Sequence, residues 1–331
     1  MPRILILGAT GYVGSRVANL LVRNGNHVVY GLARSTEKGS QLAQKEIIPV
    51  ICPDPINNPS SFLSVVRSAP IDVVVDLSGA NQDSAKILES LKQIGKERCE
   101  QATQKGAGAV IQKLGFVYCS GTWVHGSSSR LVSDIDHVGH DAVTLPPALV
   151  AWRAEFEKEI LSSRDVLDVL IVRPALIYGY ESTIWTSLIQ PLLHASQSEH
   201  TAAASIKVPL DPESKPGLIH VDDVASGFEK AIDKFELLSG TAVYPVFDLA
   251  TSQESMEEII KGFAVAWQFK GSVELVGYGD NPFFEAMSTT MRNSSQRARQ
   301  LLDWTPTRLN GMIMDIDMYA AAFAASVEKA T

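Results

Sequence analysis

Short apolar runs alternate with amphipathic stretches along the first half of the chain. The runs are rich in β-branched residues and apolar on both faces, which is typical of parallel strands buried between helices. The intervening stretches repeat apolar residues at helical spacing, as helices that cover a sheet do. The predicted strands cover residues 3–7, 27–33, 47–51, 71–77, 115–119 and 169–172, and one of the predicted helices covers residues 147–161. The alternation predicts an α/β fold with a doubly wound parallel sheet.

Beyond Tyr178 the alternation loosens, and loops that contain proline separate the apolar runs. We therefore expect a main sheet domain over residues 1–178 and a smaller lobe over residues 179–331. A strand within residues 243–249 is a segment of this second region that we expect to return to the main sheet.

Composition narrows the class of protein. The chain has 331 residues, of which 45% are hydrophobic, so it can bury a large core and a globular enzyme is the expected class. Its net charge of −8 disfavours nucleic acid or an anionic membrane surface as a partner. No apolar run approaches the roughly 20 residues that span a bilayer, so we expect no membrane partner.

The cysteines and histidines give no sign of a metal site. The three cysteines are odd in number and lack the CxxC spacing, which disfavours a disulfide framework or a cysteine zinc site. His137 and His140 are spaced as ligands can be, but a loop without a further ligand in view supports no metal, and we predict none. The apolar start of the chain ends in glycines and not in a cleavage site, which predicts a cytoplasmic protein.

A glycine-spaced turn, GATGYVG, joins the first strand to an amphipathic helix. In such a turn the first glycine lets the chain leave the strand sharply, the second lets the backbone approach a diphosphate, and the third lets the helix lie close to the sheet. The sequence therefore predicts a dinucleotide whose diphosphate rests on the helix N-terminus. The predicted contacts in this turn are Gly8, Thr10, Gly11, Tyr12, Val13 and Gly14.

The end of the second strand faces the adenosine ribose in this architecture, and here it carries Arg34 and Ser35. An acidic residue would accept hydrogen bonds from the free 2′-hydroxyl of NAD, whereas an arginine pairs with the 2′-phosphate of NADP. We therefore favour NADP(H) over NAD(H). Asp54 either binds the adenine amino group or caps a turn. Further predicted cofactor contacts are Leu77, Ser78 and Gly79.

Four later segments complete a resemblance to a known family. They are CSGTWVHG at 119–126, RPALIYG at 173–179, IHVDDVA at 219–225 and LLDWTP at 301–306. Together with the glycine turn they make the whole chain similar to the extended short-chain dehydrogenases/reductases, the group that includes nucleotide-sugar epimerases and dehydratases. The resemblance implies that Pro174 and Ile177 lie near the nicotinamide, and that a homodimer is one expected assembly of the chain.

The chain departs from this family at its usual catalytic pair. Relatives carry Tyr-x-x-x-Lys on the helix after the serine strand, where the tyrosine transfers a proton and the lysine lowers its pKa. Matching Glu157 to a glutamate common in the family puts Arg153 at the lysine position and Leu149 at the tyrosine position. Leucine cannot donate a proton, whereas arginine can still bind a ribose hydroxyl. We expect the cofactor role of Arg153 to survive without the acid/base role.

Three other side chains are candidates for chemistry. The hydroxyls of Ser120 and Thr122 either bind a substrate carbonyl or the nicotinamide amide, or satisfy backbone groups at the strand end. Tyr178 either supplies the missing phenol or shapes the wall of the site. We expect His125, at the tyrosine position of the family's Val-Tyr-Gly, to pack beneath the site.

These features predict an NADP(H)-dependent oxidoreductase that reduces a small carbonyl or imine compound. Hydride transfer needs a positioned nicotinamide and an electrophile, and an imine tolerates the loss of the tyrosine better than a ketone. The alternatives are a redox-neutral isomerase, lyase or cyclase, and a noncatalytic dinucleotide-binding sensor. An open apolar pocket facing Ser120 would favour an enzyme, and side chains that close this space would favour a sensor.

Overall fold

The computed structural model describes residues 1–104, 112–198, 205–238, 240 and 243–330. Its strands are β1 (Arg3–Leu7), β2 (Val28–Ala33), β3 (Ile48–Ile51), β4 (Val73–Asp76), β5 (Leu114–Cys119), β6 (Ser128–Ser133), β7 (Leu167–Pro174), β8 (Leu176–Tyr178), β9 (Ser205–Val208), β10 (Gly217–His220), β11 (Val246–Leu249), β12 (Ser252–Gln253), β13 (Ser272–Leu275) and β14 (Met291–Ser294).

The helices of the described residues flank these strands. They are α1 (Tyr12–Asn24), α2 (Thr36–Ala43), α3 (Ser60–Ser68), α4 (Ser84–Gln104), α5 (Trp152–Ser162), α6 (Thr186–Ser196), α7 (Val221–Asp233), α8 (Phe235–Leu238), α9 (Met256–Ala266), α10 (Pro282–Met287), α11 (Gln296–Leu301) and α12 (Ile316–Ala330). None of the helices that the structure describes is both long and apolar enough to cross a membrane.

Seven parallel strands form the main sheet, in the order β11-β7-β5-β4-β1-β2-β3. The predicted doubly wound α/β fold is therefore confirmed, and each of the six predicted strands is present with ends within two residues of those expected. The strand order reverses direction between β1 and β4, because β2 and β3 lie on one side of β1 and β4 lies on the other. Such a reversal leaves a crevice at the carboxyl ends of the strands, where ligands of open α/β sheets bind.

Helices cover both faces of this sheet, as the apolar strands require. In β1 the alternate residues Ile4 and Ile6 pack with α1 and α7, whereas Leu5 and Leu7 pack with α3 and α4. Each of these four side chains is at most 1% exposed. The strand is thus buried on both sides, which explains why its sequence shows no polar alternation.

A separate core lies beyond β7, where α6, α9 and α12 pack together with β8. Two later elements belong instead to the main sheet, since β11 pairs with β7 and α7 packs against α1. We propose that the chain divides near residue 178 into a sheet domain and a lobe, with α7 and β11 returning to the sheet.

The helix predicted over residues 147–161 is shorter than expected. It begins at Trp152, after a 3₁₀ turn over Ala148–Val150. Leu149 lies within this 3₁₀ turn and is 40% exposed.

Candidate functional site

Backbone crowding requires two of the glycines in the turn after β1. Gly8 has φ +82°, and a Cβ atom there would lie 2.4 Å from the Leu77 carbonyl oxygen. A Cβ atom on Gly14 would lie 2.1 Å from the Gly8 carbonyl oxygen. Any side chain at either position would push α1 away from β1 and β4. The glycine spacing is therefore what lets the helix N-terminus lie at the strand ends.

The N-terminus of α1 is free of side-chain caps. Gly11 is the N-cap residue, no side chain caps the helix, and the first turn contains no acidic residue. A Cβ atom on Gly11 would meet only the Gly8 carbonyl oxygen, at 3.2 Å, so the other side of Gly11 is open. Uncapped N–H groups and the positive end of the helix dipole favour an anion at this place. The turn therefore fits a diphosphate.

A cavity of about 200 Å³ extends from this turn to the end of β2, and we call it the glycine-turn cavity. The cations Arg34 and Lys38 both line it and both are exposed. In the part of the chain that the structure describes, no carboxylate lies within 4.0 Å of either cation. The lining residues are Leu7, Gly8, Thr10, Gly11, Leu32, Arg34, Lys38, Pro55, Ile56, Leu77, Ser78, Ala80 and Ile87.

Two predicted contacts near this cavity have other partners. Ser35 caps α2, and its hydroxyl accepts a hydrogen bond from the Lys38 backbone N–H at 3.2 Å. Asp54 is exposed and caps a turn, accepting hydrogen bonds from the backbone N–H groups of Asn57 at 2.9 Å and Ile56 at 3.2 Å. These hydrogen bonds lower the pKa of the Asp54 carboxyl. Of the two predicted alternatives for Asp54, the structure has the turn cap.

A second cavity, of about 210 Å³, lies at the ends of β5 and β7, and we call it the Ser120 cavity. Its wall is mostly apolar, and it brings together residues from segments far apart in the chain. The lining residues are Tyr12, Ser120, Gly121, Thr122, Trp123, Arg153, Pro174, Ala175, Leu176, Ile177, Thr183 and Ile184.

Two buried polar atoms on this wall lack hydrogen-bond partners among the described residues: Ser120 Oγ and Arg153 Nε. Ser120 is only 6% exposed. The Arg153 guanidinium lies over Gly121, since a Cβ atom on this glycine would lie 3.0 Å from Arg153 Nη1. Buried polar atoms are normally hydrogen-bonded, so an unpartnered pair facing a cavity indicates a bound polar group.

Tyr12 lines the Ser120 cavity, but its hydroxyl is hydrogen-bonded to the backbone. The Tyr12 hydroxyl donates a hydrogen bond to the Gly179 carbonyl oxygen at 2.6 Å. Burial raises the pKa of this phenol far above its usual value, so it stays protonated. Among the described lining residues there is no histidine, carboxylate or lysine.

Tyr178 lines neither cavity, whereas both of its predicted roles, as a phenol donor or as part of the wall of the site, would place it there. Leu176 and Tyr178 share the face of β8 that packs into the lobe core, whereas Ile177 packs against the main-sheet core. The Tyr178 ring is fully buried, and its centroid lies 5.1 Å from that of Tyr319 and 5.3 Å from that of His220. Burial raises the pKa of its phenol as well.

The structure thus sorts the predicted site residues into three groups. Those lining the glycine-turn cavity are Gly8, Thr10, Gly11, Arg34, Leu77 and Ser78. Those lining the Ser120 cavity are Tyr12, Ser120, Thr122, Arg153, Pro174 and Ile177. Those lining neither cavity are Val13, Gly14, Ser35, Asp54, Gly79 and Tyr178.

A buried ionic network, which the sequence analysis missed, supports the Ser120 cavity from below. Glu157, one helical turn after Arg153, accepts two hydrogen bonds from Arg173 Nε at 3.0 and 3.1 Å. Arg173 Nη1 lies 3.6 Å from Asp248 Oδ1, and Asp248 Oδ2 lies 2.7 Å from His125 Nε2. Burial alone would raise the pKa of Asp248, but His125 and Arg173 hold it below its usual value. The signal in the sequence was a charged residue among the apolar residues at the end of β7, Arg173, and another within β11, Asp248.

The loop that follows β6 also contacts this network. Asp134 is 1% exposed, and its carboxylate accepts a hydrogen bond from the Asp248 backbone N–H at 3.4 Å and lies 3.0 Å from Arg297 Nη1. His137 and His140, by contrast, join no group of possible metal ligands; within the described ranges, no three His, Cys, Asp or Glu side chains are placed to share an ion.

Comparison with known proteins agrees with this architecture. The sequence model of the NAD dependent epimerase/dehydratase family matches residues 4–137. No curated protein matches the chain. Many solved structures share its fold.

Three of these solved structures illustrate the similarity. A dTDP-glucose 4,6-dehydratase from Bacillus anthracis, solved with NAD, has a TM-score of 0.71 and 12% identity, with 99% of this chain and 98% of that chain covered. A UDP-glucuronic acid 4-epimerase from Bacillus cereus, solved with UDP-glucuronic acid and NAD, has a TM-score of 0.65 and 16% identity, with 98% and 99% covered. A UDP-glucose 4-epimerase from Thermotoga maritima, solved with UDP-glucose, has a TM-score of 0.64 and 14% identity, with 98% and 99% covered.

At such low identity these structures establish the fold alone. The family match confirms the resemblance to the NAD-dependent epimerase/dehydratase family over residues 4–137, and the solved structures confirm the fold of the whole chain.

Proposed function

We propose that the protein is an NADP(H)-dependent reductase of a small carbonyl or imine compound with an apolar body. The observation that carries this proposal is the Ser120 cavity, which is open, mostly apolar, and lined by no described residue that titrates near neutral pH. Its volume of about 210 Å³ suits a small compound.

A nicotinamide dinucleotide fits the residues that the two cavities bring together. The uncapped N-terminus of α1 would hold the diphosphate, and the open side of Gly11 leaves room for it. Arg34 and Lys38 would hold a 2′-phosphate, since both are cations without a described carboxylate partner. This pair is why we propose NADP(H), although the dehydratase and the Bacillus cereus epimerase named above were solved with NAD.

When bound, the reduced dinucleotide would supply a hydride to the electrophilic carbon of the substrate. The Ser120 hydroxyl is free to donate a hydrogen bond to the substrate oxygen or nitrogen, because no described residue uses it. Arg153 adds a positive charge to the same wall, but an arginine guanidinium keeps its proton and does not act as the acid. The Tyr12 phenol is held by Gly179, so the proton that completes the reduction comes from water.

The same geometry weighs against the two alternatives. A sensor is expected to fill the substrate space, whereas here the space beside Ser120 is open. A redox-neutral isomerase or lyase needs an acid and a base beside the substrate, and the candidates Tyr178 and His125 are buried outside the lining of this cavity.

The test is to mix the purified protein with NADPH and a panel of apolar carbonyl and imine compounds, and to follow the nicotinamide absorbance. We expect oxidation of NADPH with at least one imine, slower oxidation with the matching ketone, and little oxidation of NADH. NADPH binding without oxidation by any member of the panel would reject the reductase in favour of a sensor or a redox-neutral enzyme.

A further inference from the structure

Arg153 carries a positive charge that no described carboxylate balances. Its guanidinium lies over Gly121, with its carbon 5.5 Å from the centroid of the Trp152 ring. Nε is buried without a hydrogen-bond partner. Among the described residues, no aspartate or glutamate oxygen lies within 4.0 Å of this guanidinium.

Other arginines near the site are paired. Arg173 has Glu157 and Asp248, and Arg16 forms a two-point ion pair with Glu181 at 2.8 and 3.2 Å. Arg153 is partly buried, with Nε fully buried. Because a charge that is partly removed from water and lacks a partner is costly, the unpaired guanidinium of Arg153 favours a ligand that brings negative charge.

The rest of the Ser120 cavity is uncharged. Arg153 has the one formal charge among its described lining residues, and Trp123, Ile184 and Leu176 contribute apolar surface. Ser120 Oγ adds a second unpartnered polar atom on the same wall. A ribose hydroxyl could accept a hydrogen bond from Arg153, but it could not neutralise the charge, whereas a carboxylate does both.

We propose that the substrate of this cavity carries a carboxylate, which pairs with Arg153 beside Ser120, on an apolar body that packs against Trp123 and Ile184. This inference rests on the proposed function, because it names the substrate class of the same site. It adds that a compound with an ionised carboxylate binds more tightly than its neutral amide.

The experiment compares acids with their amides on the protein loaded with NADP⁺. Cinnamate and phenylpropionate are titrated against cinnamamide and phenylpropionamide by calorimetry. We expect each acid to bind about 10-fold or more tightly than its amide, as a charge-assisted pair at a partly buried site would give. In Arg153→Met this preference should vanish, and Arg153→Lys should keep part of it.

Controls separate this proposal from the proposed function. Arg23→Met, at the exposed end of α1, removes an arginine elsewhere and should keep the full preference. NADP⁺ affinity is measured for every variant, and the acids are also titrated without NADP⁺, so failure to bind the dinucleotide is seen separately. Equal binding of acids and amides, binding of neither acid, or a loss in Arg153→Met confined to NADP⁺ would each overturn the carboxylate assignment.

Discussion

The glycine-turn cavity and the Ser120 cavity lie at the same edge of one sheet, yet they are built differently. The first depends on backbone, since Gly8 and Gly14 leave no room for a Cβ atom and α1 starts without a side-chain cap. The second depends on side chains that five separate segments supply. A backbone site keeps its function through extensive change of sequence, whereas a side-chain site changes its chemistry with a few substitutions. This difference explains how the chain keeps a dinucleotide turn but lacks a Tyr-x-x-x-Lys pair.

The largest effect should come from breaking the ionic network beneath the Ser120 cavity. Glu157→Ala leaves the fully buried Arg173 with Asp248 alone, 3.6 Å away. We expect the free energy of unfolding to fall by about 3–5 kcal/mol, because an uncompensated charge stays buried. Urea denaturation followed by circular dichroism measures this change. Glu155→Ala, on the exposed face of the same helix, is the matched control and should change little. Similar losses of unfolding free energy in both variants would show that the network does not stabilise the protein.

A smaller effect, on cofactor affinity and not on stability, is expected at the glycine-turn cavity. Arg34→Ala should weaken NADP⁺ binding by about 1.5–3 kcal/mol, the usual value of a hydrogen bond to a charged group, and leave NAD⁺ binding nearly unchanged. Parallel calorimetric titrations with the two dinucleotides measure this difference. Arg23→Ala serves as the control for loss of a surface cation. If NADP⁺ and NAD⁺ weaken equally, Arg34 does not contact the 2′-phosphate.

Tyr12 follows the glycine turn and lines the Ser120 cavity, and loss of its hydroxyl should have a modest effect on stability. Tyr12→Phe loses the hydrogen bond to the Gly179 carbonyl oxygen, which should cost about 0.5–1.5 kcal/mol of unfolding free energy. Because burial raises the pKa of this phenol, the cost should be the same from about pH 6 to about pH 9. Thermal denaturation across this range measures it, with the exposed Tyr278→Phe as control. A cost that disappears towards the alkaline end would mean that the phenol ionises.

The smallest effect is expected at Leu149, although the family pattern would predict that a tyrosine there raises activity most. Leu149→Tyr restores a tyrosine at the matched sequence position, but this position is 40% exposed and lies outside the cavity lining. NADPH oxidation should therefore change by no more than about twofold, as for an ordinary surface substitution. Leu309→Tyr, at another exposed leucine, is the control. A tenfold or greater increase specific to Leu149→Tyr would mean that the 3₁₀ turn rearranges to bring the phenol into the cavity.

The sequence by itself determined the parallel sheet and the glycine turn. Both are local patterns, since a run such as β4 is apolar on both faces and Gly8 and Gly14 are fixed by contacts within one strand-turn-helix unit. The sequence also indicated Ser120 and Arg153 as candidate site residues.

Only the tertiary structure decided how these side chains are used. Sequence spacing could not tell that Tyr178 points into the lobe core, that Asp54 is a turn cap, or that Leu149 lies on a 3₁₀ turn. Nor could it show that Arg173 has carboxylate partners while Arg153 has none among the described residues. The physical reason is that backbone turns are set by neighbours in sequence, whereas the charge balance of a cavity is set by groups that meet only when distant segments pack together.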